Sequence, residues 1–308
     1  MKKIINYGTD KYKNPNPARI ISENKEDYIL VGTDGNIINI RKTHNMPDYY
    51  TGDVVEIIKG RITKLIERRN TVKKSANKTA KSFHNANKNQ ILASNVDQLF
   101  VLMAVNQNFS MAKLERYMLV FSHDDYEMHI VLTKTDLISK EKCNLIKSEI
   151  TDIYPDIHLH SISIYDVFST EKLALSFEKG KTGLFMGSSG AGKTSLINKL
   201  IGTAERTNTV RSDGKGRHTT TSAKILYSEK YDYYIIDTPG FKGIDKNEYA
   251  DSSVLFEDIS EIATRCKFSD CRHINEPGCA VKEAVKNGTL SKEKYERYLY
   301  NQKRLKMR

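Results

Sequence analysis

The stretch Gly187-Ser188-Ser189-Gly190-Ala191-Gly192-Lys193-Thr194 lies between an apolar run, Gly183-Leu184-Phe185-Met186, and a helix-like segment, Ser195-Leu196-Ile197-Asn198-Lys199-Leu200. Few local patterns restrict a fold so narrowly. The glycines let the backbone wrap tightly only if a buried strand ends where they begin and a helix starts where they stop. Wrapped that way, successive N–H groups and the positive end of the helix face inward, toward anything that carries phosphate. Lys193 is then placed to reach the β- and γ-phosphates of a nucleotide and the Thr194 hydroxyl to coordinate Mg²⁺. Ser188, Ser189, Gly190, Ala191 and Ser195 supply the rest of the cradle.

Asp237-Thr238-Pro239-Gly240 follows a second apolar run, Tyr233-Tyr234-Ile235-Ile236. Asp237 at a strand end can hold Mg²⁺ through water, and the Gly240 N–H can contact the γ-phosphate and sense its loss. Thr133-Lys134-Thr135-Asp136 follows a third run, His129-Ile130-Val131-Leu132. A carboxylate there accepts hydrogen bonds from N1–H and N2–H of guanine, whereas adenine would leave it unpaired. Thr133 stands where an asparagine is usual in this motif, so one hydroxyl replaces an amide and weaker contacts around the base are expected. Ser161-Ile162-Ser163 can offer a backbone N–H to the guanine oxygen. The base-reading tetrapeptide precedes the phosphate loop and Asp237, the reverse of the usual order, so the motifs are circularly permuted. Such a cut is tolerable in a surface connection when the new link joins neighbouring elements.

Around this centre the chain divides. Residues 1–68 read as a small antiparallel barrel of OB type, with strands at Arg19–Ile21, Tyr28–Val31, Ile37–Ile40, Val54–Ile58 and Arg61–Ile66 and turns at Thr33–Asn36 and Thr51–Asp53. An SH3-like barrel fits nearly as well. Residues 69–90 form a basic linker whose lysines and arginines either stay solvated or gather phosphates. Residues 91–245 alternate apolar strands with helical stretches, the pattern of a mostly parallel α/β sheet. Residues 246–308 turn helical and end in a basic tail, which either offers that face to RNA phosphates or leaves it in water.

The last region holds Cys266, Cys271, His273 and Cys279 in a Cys-x₄-Cys-x-His-x₅-Cys spacing. Three thiolates and one imidazole make a closed tetrahedral Zn²⁺ shell with no open position, hence structural rather than catalytic. Such a site would add folding energy to a module too small for a large core. Cys143, far from this cluster, reads as a packed or surface thiol. Lys and Arg number 49 against 38 Asp and Glu, a formal charge of +11, which favours a polyanionic partner, RNA first among them. No apolar run approaches the roughly 20 residues that cross a bilayer, and Met1-Lys2-Lys3 is followed by no signal-peptide core, so a cytoplasmic protein is expected.

Permuted motifs between an N-terminal barrel and a C-terminal Cys/His cluster resemble the ribosome small subunit-dependent GTPase family, RsgA, also called YjeQ or YloQ. The likeness runs through Gly52-Asp53-Val54-Val55, Ala93-Ser94-Asn95-Val96-Asp97-Gln98, Leu114-Glu115-Arg116-Tyr117 and Gly216-Arg217-His218-Thr219-Thr220-Thr221. It extends to Glu276-Pro277 before the last cysteine. The resemblance implies a GTPase that binds the small ribosomal subunit and its rRNA late in maturation and is stimulated by that subunit; GTP and GDP as ligands and a monomeric state are expected. The Gly216–Thr221 segment looks like switch I, where one of Thr219, Thr220 and Thr221, Thr220 by preference, completes the Mg²⁺ shell. Phe241 occupies the place of a water-orienting glutamine, so the resemblance nominates His218 to orient or deprotonate the attacking water. Because the segment after Gly240 runs straight into the C-terminal module, hydrolysis is expected to reposition that module. Two other classes remain open from the letters alone, a P-loop ATPase or kinase and an RNA-binding scaffold that merely holds nucleotide.

Overall fold

The computed structural model describes residues 5–74, 90–106, 109–121, 125–188, 190–202, 223–238, 256–292, 294–296, 298–299 and 302. Contacts group the chain into two compact units, Met1–Phe109 with His123–Gly243, and Ser110–Ser122 with Ile244–Arg308. Ser189, the switch segment with His218 and Thr220, Gly240, most of the basic linker and the end of the tail lie outside the described residues.

In the first unit, β1 (Pro17–Glu23), β2 (Asp27–Gly32), β3 (Ile37–Arg41), β4 (Val54–Ile58) and β5 (Arg61–Leu65) pair antiparallel in the order β3-β2-β1-β4-β5. The chain leaves β3 at one edge and returns as β4 beside β1, a Greek-key crossover of the partly open OB type. Period-two alternation aims Ala18, Ile20, Tyr28, Leu30, Ile40, Val55 and Ile57 into one core. The ends of the basic stretch are tied together, since β6 (Thr71–Lys74) pairs antiparallel with β7 (Gln90–Ser94).

Beyond it come β8 (Gln98–Ala104), α1 (Met111–Phe121), β9 (Glu127–Thr133), α2 (Lys140–Ile153), β10 (His158–Ser161), α3 (Val167–Leu175), β11 (Thr182–Gly187), α4 (Lys193–Ile201), β12 (Lys224–Ser228) and β13 (Tyr233–Asp237). The strand order is β10-β9-β8-β11-β13-β12, parallel except for β12. Every residue of β8 and β11 is buried, which is why these strands read as unbroken apolar runs rather than alternations. β9 and β10 extend from β8 in one direction, while β11 and β13 extend in the other. That reversal opens a crevice at the carboxyl ends of β8 and β11, where open α/β sheets take their ligands.

The barrel and this sheet are interlocked by the residues that carried the resemblance. A Cβ on Gly52 (φ 102°) would lie 2.1 Å from the Ser94 carbonyl oxygen. The backbone passes there because no side chain is present. Asn95 Nδ2 donates to the Gly52 carbonyl at 2.9 Å, and Ser94 N–H donates to Thr51 O at 3.0 Å. Asp53, fully buried, accepts from Arg68 Nε and Nη2 at 2.7 Å each and from Ser94 Oγ at 2.6 Å. Asp53 is fully buried while Arg68 is 22% exposed, so removing the arginine would leave a buried carboxylate without its cation, which is destabilising. On the far side, Ser22 of β1 pairs with Lys224 of β12, and Thr51 Oγ1 donates to Ala223 O at 3.2 Å, so one sheet runs from barrel into nucleotide fold.

The second unit contains α1, α5 (Glu257–Ala263) and α6 (Ala280–Lys286). Phe256, Ile259 and Ile262 pack against Val281, Ala284 and Leu290, with Cys266, Cys271 and Cys279 at the border of that cluster.

Two measurements test this framework. Gly52→Ala should cost roughly 4 kcal/mol or more in thermal unfolding. Gly60→Ala, at a β-hairpin tip where a Cβ meets nothing within 4 Å, should cost only about 1–2 kcal/mol for its left-handed φ.

The second concerns pH. At the amino end of β9, His129 stacks on Phe100 at 4.4 Å and its ring nitrogens meet His160 at 3.0 Å and Glu127 at 3.2 Å. Burial lowers the pKa of His129 and, with His129, His158 and Lys172 nearby, pushes His160 down to about 4. Free histidine titrates near 6.5, so between these values the unfolded chain binds more protons than the folded one. Stability should be full above about pH 6.5 and drain as pH falls toward 4. Melting curves of the unmutated protein should show this loss, and His160→Gln should flatten it.

Candidate functional site

The phosphate loop is built as the spacing requires. β11 delivers Gly187, Gly190 and Gly192 adopt left-handed φ of 81° and 84°, and α4 starts at Lys193 with Gly192 as its cap and no side-chain hydrogen bond there. The N–H groups of the first turn of α4 are therefore left for a ligand. The Thr194 and Ser195 side chains are exposed. Lys193 Nζ and Asp237 Oδ1 are 2.7 Å apart, with side chains only 10% and 16% exposed. The ends of β11 and β13 thus bring together a cation that can bind phosphate and an acid that can hold a metal, despite their separation in the chain. Thr238 Oγ1 donates to Phe185 O at 2.8 Å and fixes the end of β13 against β11. Nothing in the letters around Thr238 says where its hydroxyl goes.

On the base side, Thr133 is 4% exposed and its Oγ1 donates to the Ala191 carbonyl at 2.7 Å. The hydroxyl that stands in for an asparagine amide is spent on the phosphate loop. It is a brace between the two motifs. Lys134 follows at φ 60°, an unusual conformation for a lysine, and Asp136 is exposed within a short 3₁₀ turn, Thr135–Leu137. Thr135 N–H donates to Ile162 O at 3.2 Å, and Ile162 N–H donates to Leu132 O at 2.8 Å. These bonds lace the Asp136 turn to the loop after β10.

Asp136, Ser161, Ser163 and Tyr165 line one pocket of 490 Å³, walled on the other side by Lys140, Asn144 and neighbours on α2. Phosphate-loop residues do not line it; the connection to them runs through Thr133. Ser161 closes β10. However, Ile162 N–H is committed to Leu132, and Ser163 N–H meets Ser169 Oγ at 3.3 Å. Ile164 is the next residue in this loop, and its N–H has no acceptor among the described residues. Cys143 also lines the pocket.

The metal cluster assembles as its spacing suggested. The ligand atoms of Cys266, Cys271, His273 and Cys279 lie within 4.8 Å of one another. Cys266 Sγ is 3.9 Å from Cys279 Sγ, and His273 Nδ1 is 3.6 Å and 3.4 Å from these two sulfurs. Edges of about 3.5–3.8 Å are what a tetrahedral zinc shell has, so the donors fit a zinc ion. Desolvation and the neighbouring thiols push Cys271 up to about 11. Cys266 is lowered: desolvation opposes its charge, and the N–H groups of Val281 and Ala280 outweigh it.

The loop that carries His273 (φ 60°) is folded around Glu276, whose carboxylate accepts from the N–H groups of Arg272, Ile274 and Asn275 at 2.9–3.0 Å. Its own backbone N–H first, and then these three donors, pull the Glu276 carboxyl down to about 2 against the opposing effect of desolvation. The sequence had Glu276 only as part of a family pattern. Tyr295 OH donates to His273 O and ties the following helical stretch to the same loop.

Known proteins match the chain along most of its length. The family model described as RsgA GTPase matches residues 65–247. A protein of Vibrio parahaemolyticus named small ribosomal subunit biogenesis GTPase RsgA 2 is 34% identical over 295 residues, 94% of this chain and 79% of its own. RsgA 1 of Bacteroides thetaiotaomicron is 34% identical over 306 residues, 94% of this chain and 83% of its own. Among solved structures, YjeQ from Thermotoga maritima superposes with a TM-score of 0.64 at 25% identity, covering 92% of this chain and 96% of that one. YloQ, described as a circularly permuted GTPase, shares the fold with a TM-score of 0.63 at 23% identity over 96% of each chain.

The brace yields a prediction. Thr133→Val keeps the shape but leaves the Ala191 carbonyl buried without its donor, at a cost of about 1–3 kcal/mol. Both the thermal midpoint and GDP affinity should fall, whereas Thr133→Ser should retain both.

Proposed function

Because the chain belongs to the RsgA GTPase family, whose curated members are named small ribosomal subunit biogenesis GTPases, we propose that it hydrolyses GTP on the small ribosomal subunit late in that subunit's maturation. One observation supports this reading more than any other. A guanine-type motif that comes first in the chain is joined by a buried hydrogen bond, Thr133 to Ala191, to a phosphate loop that comes later. In this reading Asp136 accepts from the guanine edge, Lys134 and the turn after Ser161 bound the base, and the N–H groups of Gly187–Ser195 hold the phosphates. Lys193, now paired with Asp237, turns to the β- and γ-oxygens. Thr194 and Asp237 would hold Mg²⁺, which when bound offsets charge on the transferred phosphoryl group. Oxygen donors of this kind suit that ion. His218 is assigned to the attacking water, Thr220 to the metal shell and Gly240 to the γ-phosphate.

The barrel and the basic segments are assigned to rRNA, as the charge of +11 suggests. Zn²⁺ held by Cys266, Cys271, His273 and Cys279 is assigned a structural role in the C-terminal unit. The reading also places the protein in the cytoplasm, as a monomer with no membrane partner. Among the described residues no helix is long and apolar enough to cross a membrane.

GTP turnover with and without purified small subunits tests the central assignment. Phosphate release should rise severalfold or more with subunits, and GDP but not ADP should displace labelled nucleotide. Displacement by ADP would return the chain to the ATPase or kinase class, and no release even with subunits would favour the nucleotide-holding scaffold. His218→Ala should lower the stimulated rate strongly while GTP affinity stays near that of the unmutated protein.

For the cluster, elemental analysis should find one zinc per chain. Cys271→Ser should lose it and unfold the C-terminal unit at lower temperature, with GDP affinity unchanged.

A further inference from the structure

The turn that joins β10 to α3 is held more firmly than its exposure suggests. Asp166 N–H donates to Ser163 O at 3.1 Å and closes the turn, while Tyr165 N–H donates to Ser163 Oγ at 3.2 Å. The Asp166 carboxylate accepts from Phe168 and Ser169 N–H at 3.1 Å and 3.2 Å and caps α3. Upstream, Ile162 is bonded on both sides to the segment that carries Asp136. Tyr165 stands at the tip of this scaffold, with its backbone fixed from both directions and its side chain 80% exposed.

A single exposed aromatic residue needs no explanation by itself. What distinguishes Tyr165 is its position. It lines the 490 Å³ pocket together with Asp136 and Ser163, whereas Val167 and Phe168, 61% and 78% exposed, do not. The carboxylate of Asp136 has no hydrogen bond or ion pair among the described residues, and that pocket has room for a purine.

The remaining step rests on the reading of Asp136 as the guanine acceptor. A carboxylate that accepts from N1–H and N2–H holds a purine by its edge, in the plane of the ring. Edge contacts leave both faces bare, and the other side chains around the pocket are short polar groups, lysines and one thiol. Tyr165 alone among the lining residues has a flat apolar surface to set against a ring. We propose that Tyr165 is a base-binding residue, whose ring lies against a face of the guanine held by Asp136 and closes the base end of the nucleotide site. Stacking on an aromatic ring is indifferent to exocyclic groups, because every base has a π face. The two residues therefore divide the work, Asp136 choosing the base and Tyr165 adding affinity for whatever purine is chosen.

Calorimetric titration of the full-length protein with GDP, IDP and XDP separates these roles. Tyr165→Ala should weaken GDP and IDP by the same factor, roughly ten-fold, and Tyr165→Phe should bind both as the unmutated protein does. With an exposed side chain, neither variant should change the melting temperature without nucleotide. Asp136→Asn exchanges an acceptor for an amide that also donates, so preference should move from GDP toward XDP, while Tyr165→Ala leaves that ratio where it was. If Tyr165→Ala binds GDP normally while Asp136→Asn still switches the base, the stacking role is wrong and the guanine reading stands. If Asp136→Asn leaves the preference unchanged, the guanine reading itself fails. Normal GDP affinity combined with lost stimulation by small subunits would also overturn the proposal, by giving the ring to a partner surface.

Discussion

The hydrogen bond from Thr133 to the Ala191 carbonyl is the joint on which the nucleotide site depends. It lies inside the crevice formed where β8, with β9 beyond it, meets β11, and it is shielded from water on both sides. The base-side loop and the phosphate loop arrive there from strands on either side of β8, so neither fixes the position of the other through the chain. A short buried hydroxyl–carbonyl contact does so instead. Such a contact is sensitive to tenths of an ångström, and leaving its acceptor bare is costly. Permuting the chain leaves the joint intact because it links strand ends, whose neighbours are set by the parallel ladder rather than by sequence order.

The rest of the first unit is arranged so that this ladder cannot shift. Asp53, itself fully buried, gathers Arg68 and Ser94. Gly52 lets the barrel backbone touch the chain just before β8. Asp97, one turn further, is held below the usual carboxylate range. Burial opposes its charge, but Arg69 at 2.7 Å and the Thr182 N–H at 2.8 Å outweigh it. Arg19, buried beneath Tyr234, reaches Thr182 Oγ1 at 3.0 Å. Together these contacts fix the starts of β8 and β11 to the barrel, and their far ends carry the site.

Much of this was legible in the letters, for reasons that differ by element. The buried strands and the phosphate loop announce themselves because periodicity and glycine spacing are local. The three cysteines and the histidine do so because all four donors of a metal shell fall within one short stretch of this chain. What stayed hidden depends on partners distant in sequence. Thr133 read as a weaker asparagine, but its hydroxyl faces another motif 58 residues away. Ser161 was nominated for a backbone contact, yet the next two N–H groups are committed elsewhere and the exposed tip falls at Tyr165. Glu276 carries no sequence signal for the three N–H donors it collects, because those donors belong to the backbone. Likewise, the pairing of β6 with β7 could not be read from a stretch so rich in lysine, since cross-strand partners leave no local trace there.

The seam between β1 and β12 has a mechanical meaning. β12 begins immediately downstream of the threonine-rich stretch, and its first residues are pinned by Ser22 and Thr51 of the barrel. The exit of that stretch is therefore moored to the barrel wall, not to the nucleotide fold alone. A displacement of the barrel strand would therefore be passed through these two contacts to Ala223 and Lys224.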